Sequence, residues 1–157
     1  MQIEIERKFL VKDTSFKNKS FKCLSIKQGF LNSNKNRVVR IRIVDDKGFI
    51  TIKGKSSKNG LSRFEWEKKI PMKEAKKLLK LCEKEVIKKS RYLVKVENHT
   101  FEVDIFKGGN KGLIIAEIEL SHEKESFSKP DWLGKEVTGE AKYYNSELSK
   151  VPFKNWA

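Results

Sequence analysis

The segment Glu4–Leu10 reads E-I-E-R-K-F-L, and its charged and apolar side chains nearly alternate. In a β-strand, residues two positions apart point to the same face of the sheet. Glu4, Glu6 and Lys8 therefore share one face, and that face is charged throughout. The pattern predicts a strand over Gln2–Val11 with one charged face and one mainly apolar face.

Short segments with similar alternation recur along the chain and are separated by turn residues. Connections this short indicate that successive strands pair in an antiparallel arrangement. The predicted strands are Gln2–Val11, Leu24–Leu31, Arg37–Val44, Phe49–Gly54, Ser62–Ile70, Glu85–Glu97, Thr100–Phe106 and Leu113–Ser121.

Helical segments interrupt the strands. Pro71 suits the first position of a helix, and the apolar residues after it recur at helical spacing. A second helix is predicted from about Glu140 to Lys150, and a short helical turn near Ser15–Ser20. The apolar stripe of the helix that Pro71 opens consists of Ala75, Leu78, Leu79 and Cys82.

Charged residues also occupy positions i and i+2 in the later strands, and their signs differ from strand to strand. The basic positions are Arg40 and Arg42, then Lys53, then Lys89 and Arg91. The acidic pairs are Glu65 and Glu67, Glu102 and Asp104, and Glu117 and Glu119.

Two folds accommodate these pairs. An antiparallel sheet can pack its apolar face on a core and leave the charged face in water. A closed eight-stranded barrel can instead enclose the charges, with helices on its outside, and is just wide enough for one small ligand. The recurrence of like-charged pairs favours the barrel, because a solvated face would mix opposite charges. Such an interior is affordable only if water, metal ions and a polyanion occupy it.

Composition sets further limits. The 157 residues suffice for a single domain, predicted over residues 1–157. The formal net charge is +14, so a polyanionic partner must be considered. The sequence contains no run of about 18 apolar residues and opens directly on a charged strand, so neither a membrane span nor a signal peptide is expected. Cys23 and Cys82 are too few for a disulfide framework, which predicts reduced thiols in a cytoplasmic protein.

In their order along the chain, these motifs resemble the CYTH domain of the triphosphate tunnel metalloenzyme superfamily. One departure is Phe30, which follows Gln28 and Gly29 where many close relatives carry Tyr, so that Lys8 would lack a phenol partner. The matching segments are E-I-E-R-K at Glu4–Lys8, R-I-R at Arg40–Arg42, T-I-K-G at Thr51–Gly54, R-F-E-W-E at Arg63–Glu67, K-S-R-Y at Lys89–Tyr92, F-E-V-D-I-F at Phe101–Phe106, A-E-I-E-L at Ala116–Leu120, and the tail Trp132–Glu140 followed by Tyr144 and Asn145.

The resemblance implies a metal-dependent hydrolase that cleaves the terminal phosphoanhydride of a triphosphate, most like small bacterial inorganic triphosphatases. Its cofactor would be Mg²⁺ or Mn²⁺, as two ions, the second of which would deliver water in line to the terminal phosphorus. Glu4, Glu6 and Lys8 are the implied catalytic residues. The implied metal ligands are Glu4, Glu6, Glu117 and Glu119, then Glu65, Glu67 and Asp104. The implied phosphate-binding residues are Lys8, Arg40, Arg42, Lys53, Lys89 and Arg91.

The sequence is also compatible with other functions. The same tunnel serves class IV-type adenylate cyclases and thiamine or nucleoside triphosphatases. A non-enzymatic polyanion-binding module would explain the net charge, with Trp66, Trp132 and Trp156 available to stack on bases. The acid pairs disfavour nucleic acid, because they would repel phosphates. The expected partner is a small-molecule triphosphate rather than a membrane, and a homodimer is left open.

Overall fold

The computed structural model describes residues 3–83 and 85–156. Its strands are β1 (Ile3–Val11), β2 (Ser20–Asn32), β3 (Arg37–Val44), β4 (Lys47–Gly54), β5 (Ser62–Ile70), β6 (Ile87–Val96), β7 (His99–Phe106), β8 (Ile114–Glu119) and β9 (Leu133–Glu136). Eight of them correspond to the predicted strands. Gln2, the first residue of the predicted β1, lies outside the described residues.

Strands β1 to β8 close into an antiparallel barrel, as the sequence predicted. The order around the sheet is β5-β4-β3-β2-β6-β7-β8-β1, and a further pairing of β5 with β1 closes the circle. On that closing edge, Ile3 lies opposite Phe64. Farther along the same edge, β9 takes the place of β5 and pairs with Phe9 and Val11. The first strand thus has two successive partners on one side and β8 on the other.

Strand β9 was not predicted from the sequence. The strand is only four residues long, and it lies against β1 so closely that a Cβ added to Gly134 would come within 2.9 Å of the Leu10 carbonyl oxygen. Glycine is therefore required there for packing. A four-residue strand that contains glycine has too little alternation to be recognised from sequence.

Two of the three helical predictions are confirmed, as α1 (Phe16–Lys19) and α2 (Met72–Lys80). The predicted helix from Glu140 to Lys150 is wrong, because the extended backbone of Tyr144 (φ −68°, ψ 137°) splits it into a 3₁₀ turn, Ala141–Tyr143, and a short helix α3, Asn145–Leu148. Further 3₁₀ turns lie at Gly108–Asn110 and Phe153–Asn155. No described helix combines the length and apolarity needed to cross a bilayer.

The apolar outer face of the barrel is covered in two places. Helix α2 packs over β3 and β4, and its Ala75 is fully buried beside Ile41 and Ile43. Over β1, β6, β7 and β8, the covering side chains are Phe16 and Trp132, both with no exposed surface. A stripe on β1, β4 and β5 stays exposed by more than a third and is made of Ile3, Ile52, Phe64 and Trp66.

One end of the barrel interior is apolar and closed. The inward-facing residues of the strand ends there pack against the C-terminal segment, whose Tyr143 and Leu148 enter the cluster. This segment plugs the barrel, so the charged residues lie between the plug and the opposite, open end. The other main members of the cluster are Phe30, Val38, Ile87, Phe106, Leu113, Ile115 and Val137.

Gly60 and Gly139 join the β4–β5 loop to the plug. Both have left-handed φ values, 75° and 81°, and a Cβ on Gly60 would lie 2.4 Å from the Gly139 Cα. We expect Gly60→Ala to cost more than the ~1 kcal/mol of a left-handed alanine alone. Gly108→Ala is the matched control, because Gly108 has φ 60° and nothing within 4 Å of its added Cβ. Urea unfolding that gives equal losses for both variants would contradict the close contact.

Candidate active site

The charged side chains predicted from the sequence converge on a cavity of about 190 Å³ inside the barrel. Every predicted site residue except Asp104 lines this cavity. The lining residues from that set are Glu4, Glu6, Lys8, Arg40, Arg42, Lys53, Glu65, Glu67, Lys89, Arg91, Glu117 and Glu119. The prediction that the charges face inward is therefore confirmed.

Most of the bases are paired with acids on other strands of the barrel. The Lys53 Nζ lies 3.1 Å from Glu4 Oε1 and 3.3 Å from Glu65 Oε2, and Glu65 is its register partner on β5. The Arg40 Nη2 lies 3.4 Å from Glu67 Oε2. Each of these pairs holds a base at a fixed place on the cavity wall.

Asp104 lies behind the cavity wall. Its two carboxylate oxygens accept hydrogen bonds from Arg91 Nε at 2.8 Å and Arg91 Nη2 at 2.9 Å, and the Lys89 Nζ lies 2.8 Å from Oδ2. Burial alone would raise the pKa of Asp104, but Arg91 and Lys89 outweigh it and hold the pKa below its usual value. Both oxygens are thus engaged with bases, and this geometry fits a positioning role better than metal ligation.

Arg42 differs from the other arginines of the site. Arg40 and Arg91 pair with carboxylates, whereas Arg42 forms no ion pair within the described residues. The buried Nε of Arg42, like that of Arg40, has no hydrogen-bond partner. Burial, and then repulsion from Arg40 and Arg91, lowers the pKa of Arg42 to about 9. A guanidinium that faces a cavity with unused donors is suited to bind an anion bidentately.

Carboxylates crowd the open half of the cavity. Burial, and then repulsion from Glu117 and Glu4, raises the pKa of Glu6 well above its usual value. The pKa of Glu65 is raised by burial and by Glu4. Glu117 shows the opposite shift, because Lys8 and Arg91 outweigh burial and lower its pKa. The region therefore carries mutual repulsion that a bound cation would relieve.

The donor set of this region fits hard divalent cations, which take carboxylate oxygens as ligands. Glu4, Glu6, Glu117 and Glu119 offer only such oxygens from the paired strands β1 and β8, where Glu6 lies opposite Glu119 and Lys8 opposite Glu117. In the part of the chain described, no three acidic, histidine or cysteine side chains already form a compact ligand group. Binding an ion would thus draw carboxylates together from their present ion pairs.

The plug contributes residues that strand periodicity did not indicate. Asn145 Oδ1 accepts hydrogen bonds from Lys89 Nζ at 3.1 Å and Gln28 Nε2 at 2.8 Å. The Lys8 Nζ donates to the Tyr143 carbonyl oxygen at 3.3 Å and lies 5.3 Å from the centre of the Tyr144 ring. The family resemblance included Tyr144 and Asn145. These residues reach the cavity wall because the backbone is extended at Tyr144, where a continuous helix had been predicted.

Two further residues of the cavity wall could have been predicted from the two-residue period of the strands. Arg63 precedes Glu65 by two residues and Glu102 precedes Asp104 by two, so each shares the inward face of its strand, and both line the cavity. Phe30 also lines it, beside the plug. Because Phe30 brings no hydroxyl, the polar surroundings of Lys8 come from Glu117 and the Tyr143 carbonyl.

The backbone of Lys8 is clamped by the segment after β9. Its N–H donates to Thr138 Oγ1 at 2.9 Å, and its carbonyl accepts from the Val137 N–H at 2.8 Å. Thr138 Oγ1 in turn donates to Glu136, which forms a bidentate pair with Arg7 at 2.9 and 2.6 Å. The chain thereby fixes one cavity lysine through its main chain as well as its side chain.

Comparison with known proteins identifies this arrangement. The sequence matches the CYTH domain over residues 2–152. The chain belongs to the CYTH domain family. A CYTH relative from Acetivibrio thermocellus, named inorganic triphosphatase, is 49% identical over 154 residues that cover 98% of this chain and 97% of the relative. A second relative named inorganic triphosphatase, from Nitrosomonas europaea, is 33% identical over 150 residues that cover 93% of this chain and 96% of the relative.

A solved structure agrees with the CYTH assignment. The crystal structure of the inorganic triphosphatase NE1496 superposes with a TM-score of 0.67 at 30% identity, covering 93% of this chain and 97% of the other. The fold and its closed barrel are therefore shared along almost the full length of both chains.

Proposed function

We propose that this CYTH protein is a divalent-metal-dependent triphosphatase that hydrolyses the terminal phosphoanhydride of inorganic tripolyphosphate inside the barrel. The observation that carries the proposal is Arg42, a cavity-lining guanidinium that has no acid partner in the described chain and is repelled by Arg40 and Arg91. An anion bound in the cavity would satisfy the unused donors of Arg42. Relatives at 49% and 33% identity that are named inorganic triphosphatase support the choice of substrate.

The bases would act by charge neutralisation and positioning. Phosphoryl transfer has a loose transition state with charge spread over the phosphoryl oxygens, so preorganised donors supply most of the catalysis. Arg40, Arg42 and Arg91 offer forked donors, and the lysines act as point charges. We assign phosphate binding to Lys8, Arg40, Arg42, Lys53, Lys89 and Arg91.

Metal binding is assigned to the crowded carboxylates. Glu4, Glu6, Glu117 and Glu119 are the principal proposed ligands, with Glu65 and Glu67 as further ones, for two Mg²⁺ or Mn²⁺ ions. When bound, such an ion lowers the pKa of a coordinated water and neutralises phosphate charge. Glu4, Glu6 and Lys8 are the proposed catalytic residues. Asp104 is proposed to position Lys89 and Arg91.

Metal binding predicts a change in thermal stability that needs no turnover. At ten times its Kd, Mg²⁺ should add about 1.4 kcal/mol to the wild-type protein, which corresponds to a rise in Tm of about 3–6 °C. Glu6→Gln should raise the Tm of the metal-free protein, because it removes one crowded carboxylate, and should reduce the Mg²⁺-induced rise to less than half. Differential scanning calorimetry checks both values.

Glu74→Gln is the matched control, because Glu74 is exposed on α2 and lies outside the cavity. This variant should keep the wild-type Tm increment. A full increment in Glu6→Gln would remove that residue from the metal site.

A substrate panel tests the function itself. Tripolyphosphate, ATP and thiamine triphosphate are each incubated with Mg²⁺ and then Mn²⁺, and orthophosphate and cyclic AMP are measured. We expect orthophosphate from tripolyphosphate at the highest kcat/KM. Cyclic AMP from ATP would favour the cyclase, and binding that needs no metal but weakens steeply with salt would favour a polyanion-binding module.

We also propose a homodimer formed through the exposed stripe Ile3, Ile52, Phe64 and Trp66. Contiguous apolar surface of this kind commonly marks an interaction site. Light scattering after size exclusion should give a dimer for the wild type and a monomer for Trp66→Lys, whereas a monomeric wild type would reject the proposal.

The same chain is proposed to act as one domain in the cytoplasm. The CYTH match over residues 2–152 supports a single domain, and the unpaired Cys23 and Cys82 are in keeping with a reducing compartment. Fractionation of cells that produce the protein tests the location.

A further inference from the structure

A second cavity of about 180 Å³ lies beside the plug, between the β2–β3 turn, the β4–β5 loop and the C-terminal segment. It shares Val38, Arg63, Tyr144 and Ser146 with the tunnel cavity, so these residues form a common wall in which Arg63 is the charged member. Its charged lining consists of Lys35, Lys55 and Arg63 against one acid, Glu147. We call this cavity the vestibule.

The charges of the vestibule favour an anion. Glu147 already lies 3.7 Å from Lys150, which offsets its negative charge. The Arg63 guanidinium lies 5.8 Å from the centre of the Tyr144 ring, and its nearest ion-pair contact in the described chain is a long one, 3.8 Å from Nε to Glu4. Arg63 therefore keeps donors that can reach a ligand on either side of the shared wall.

The open end of the barrel has the opposite character. The cavity at that end is lined by Glu102, Glu119 and Glu125, together with His99, which lies 2.5 Å from Glu125. An anion that approaches there meets carboxylates first, and one that approaches the vestibule meets ammonium groups. Clefts lined by a single sign of charge concentrate ligands of the opposite sign and raise their association rate.

We propose that the vestibule is an anion-binding subsite that takes a phosphate group of the substrate or of its orthophosphate product next to the tunnel. The choice of a phosphate ligand rests on the proposed triphosphatase function. Lys35 and Lys55 attract the phosphate group electrostatically. Arg63, which lines both cavities together with Tyr144, can bind the group on either side of the shared wall. None of the residues that bind phosphate in the tunnel is needed for this step.

Charge reversal tests the subsite kinetically. For the double variant Lys35→Glu/Lys55→Glu, kcat/KM for tripolyphosphate at low ionic strength should fall about tenfold, and the deficit should shrink with added salt, with kcat at saturation unchanged. The control is Lys58→Glu/Lys111→Glu, which has the same net charge but changes exposed lysines that do not line the vestibule. Equal losses in both double variants would overturn the proposal.

A footprint in EDTA tests it without hydrolysis. Acetylation of wild-type lysines is followed by mass spectrometry with tripolyphosphate or orthophosphate added. Protection of Lys35 and Lys55, but not of Lys58, supports the subsite. Protection by tripolyphosphate alone assigns it to the substrate chain, and protection by both anions shows that a single phosphate group suffices. Lack of selective protection overturns the proposal, whereas selective protection in a protein without hydrolysis would reject only the triphosphatase function.

Discussion

Arg42→Ala should lower kcat/KM for tripolyphosphate by about 10²–10³-fold, equivalent to roughly 2.7–4 kcal/mol of transition-state stabilisation. Arg42 brings unused donors to the cavity, so its loss removes phosphate contacts without breaking an internal ion pair. The free energy of unfolding should stay equal or rise, because repulsion from Arg40 and Arg91 disappears. Steady-state kinetics and urea unfolding on the same preparation measure both effects.

Two control variants sharpen this prediction. Arg42→Lys keeps the charge but not the forked donors, so it should recover only part of the lost activity. Arg37→Ala removes an exposed arginine at the start of the same strand and should leave kcat/KM unchanged. If Arg42→Ala loses activity only together with stability, Arg42 has a structural role instead.

Asp104→Asn should be the most destabilising of the substitutions considered. Asp104 is 1% exposed and is the shared partner of Lys89 and Arg91, so neutralising it leaves two buried cations poorly compensated. Breaking a buried ion pair in this way costs about 3–5 kcal/mol. Urea unfolding should show a loss of that size.

The informative comparison is Glu102→Gln. Glu102 also pairs with Arg91, at 3.2 Å, but its side chain is 41% exposed, so the loss should stay within ~1 kcal/mol. The Mg²⁺-induced rise in Tm separates the two roles considered for Asp104. A rise that persists in Asp104→Asn fits a positioning residue, and one that vanishes fits a metal ligand.

The sequence predicted the barrel and most of its wall because β-structure has a period of two. Once Glu4, Glu6 and Lys8 were placed on one face, the same rule placed the pairs on the later strands. The rule does not tell which carboxylate meets which base. Glu102 and Asp104 look alike in the sequence, and only their depth in the wall separates a half-exposed acid from one enclosed by two cations.

The plug was the part that sequence reasoning misjudged. Residues 140–150 have helical spacing, but tertiary packing overrides it at Tyr144, whose extended backbone directs Asn145 toward Lys89 and Gln28. Local propensity is a weak guide where a segment enters a cavity and must satisfy partners on several strands. Strand β9 was not predicted for a related reason, because it forms only by pairing with the part of the β1 edge that β5 leaves unpaired.

Lys53, Arg40 and Lys8 each pair with a carboxylate, whereas Arg42 does not, so an anion that binds in the tunnel competes with carboxylates at these three bases. It has to displace Glu4, Glu67 and Glu117 from them, and each displacement costs the ion pair that it breaks. An anion with many negatively charged oxygens can replace several of these ion pairs at once, whereas a single phosphate group can replace only one. We therefore expect these carboxylates to make the tunnel favour ligands that carry several negative charges over ligands that carry one.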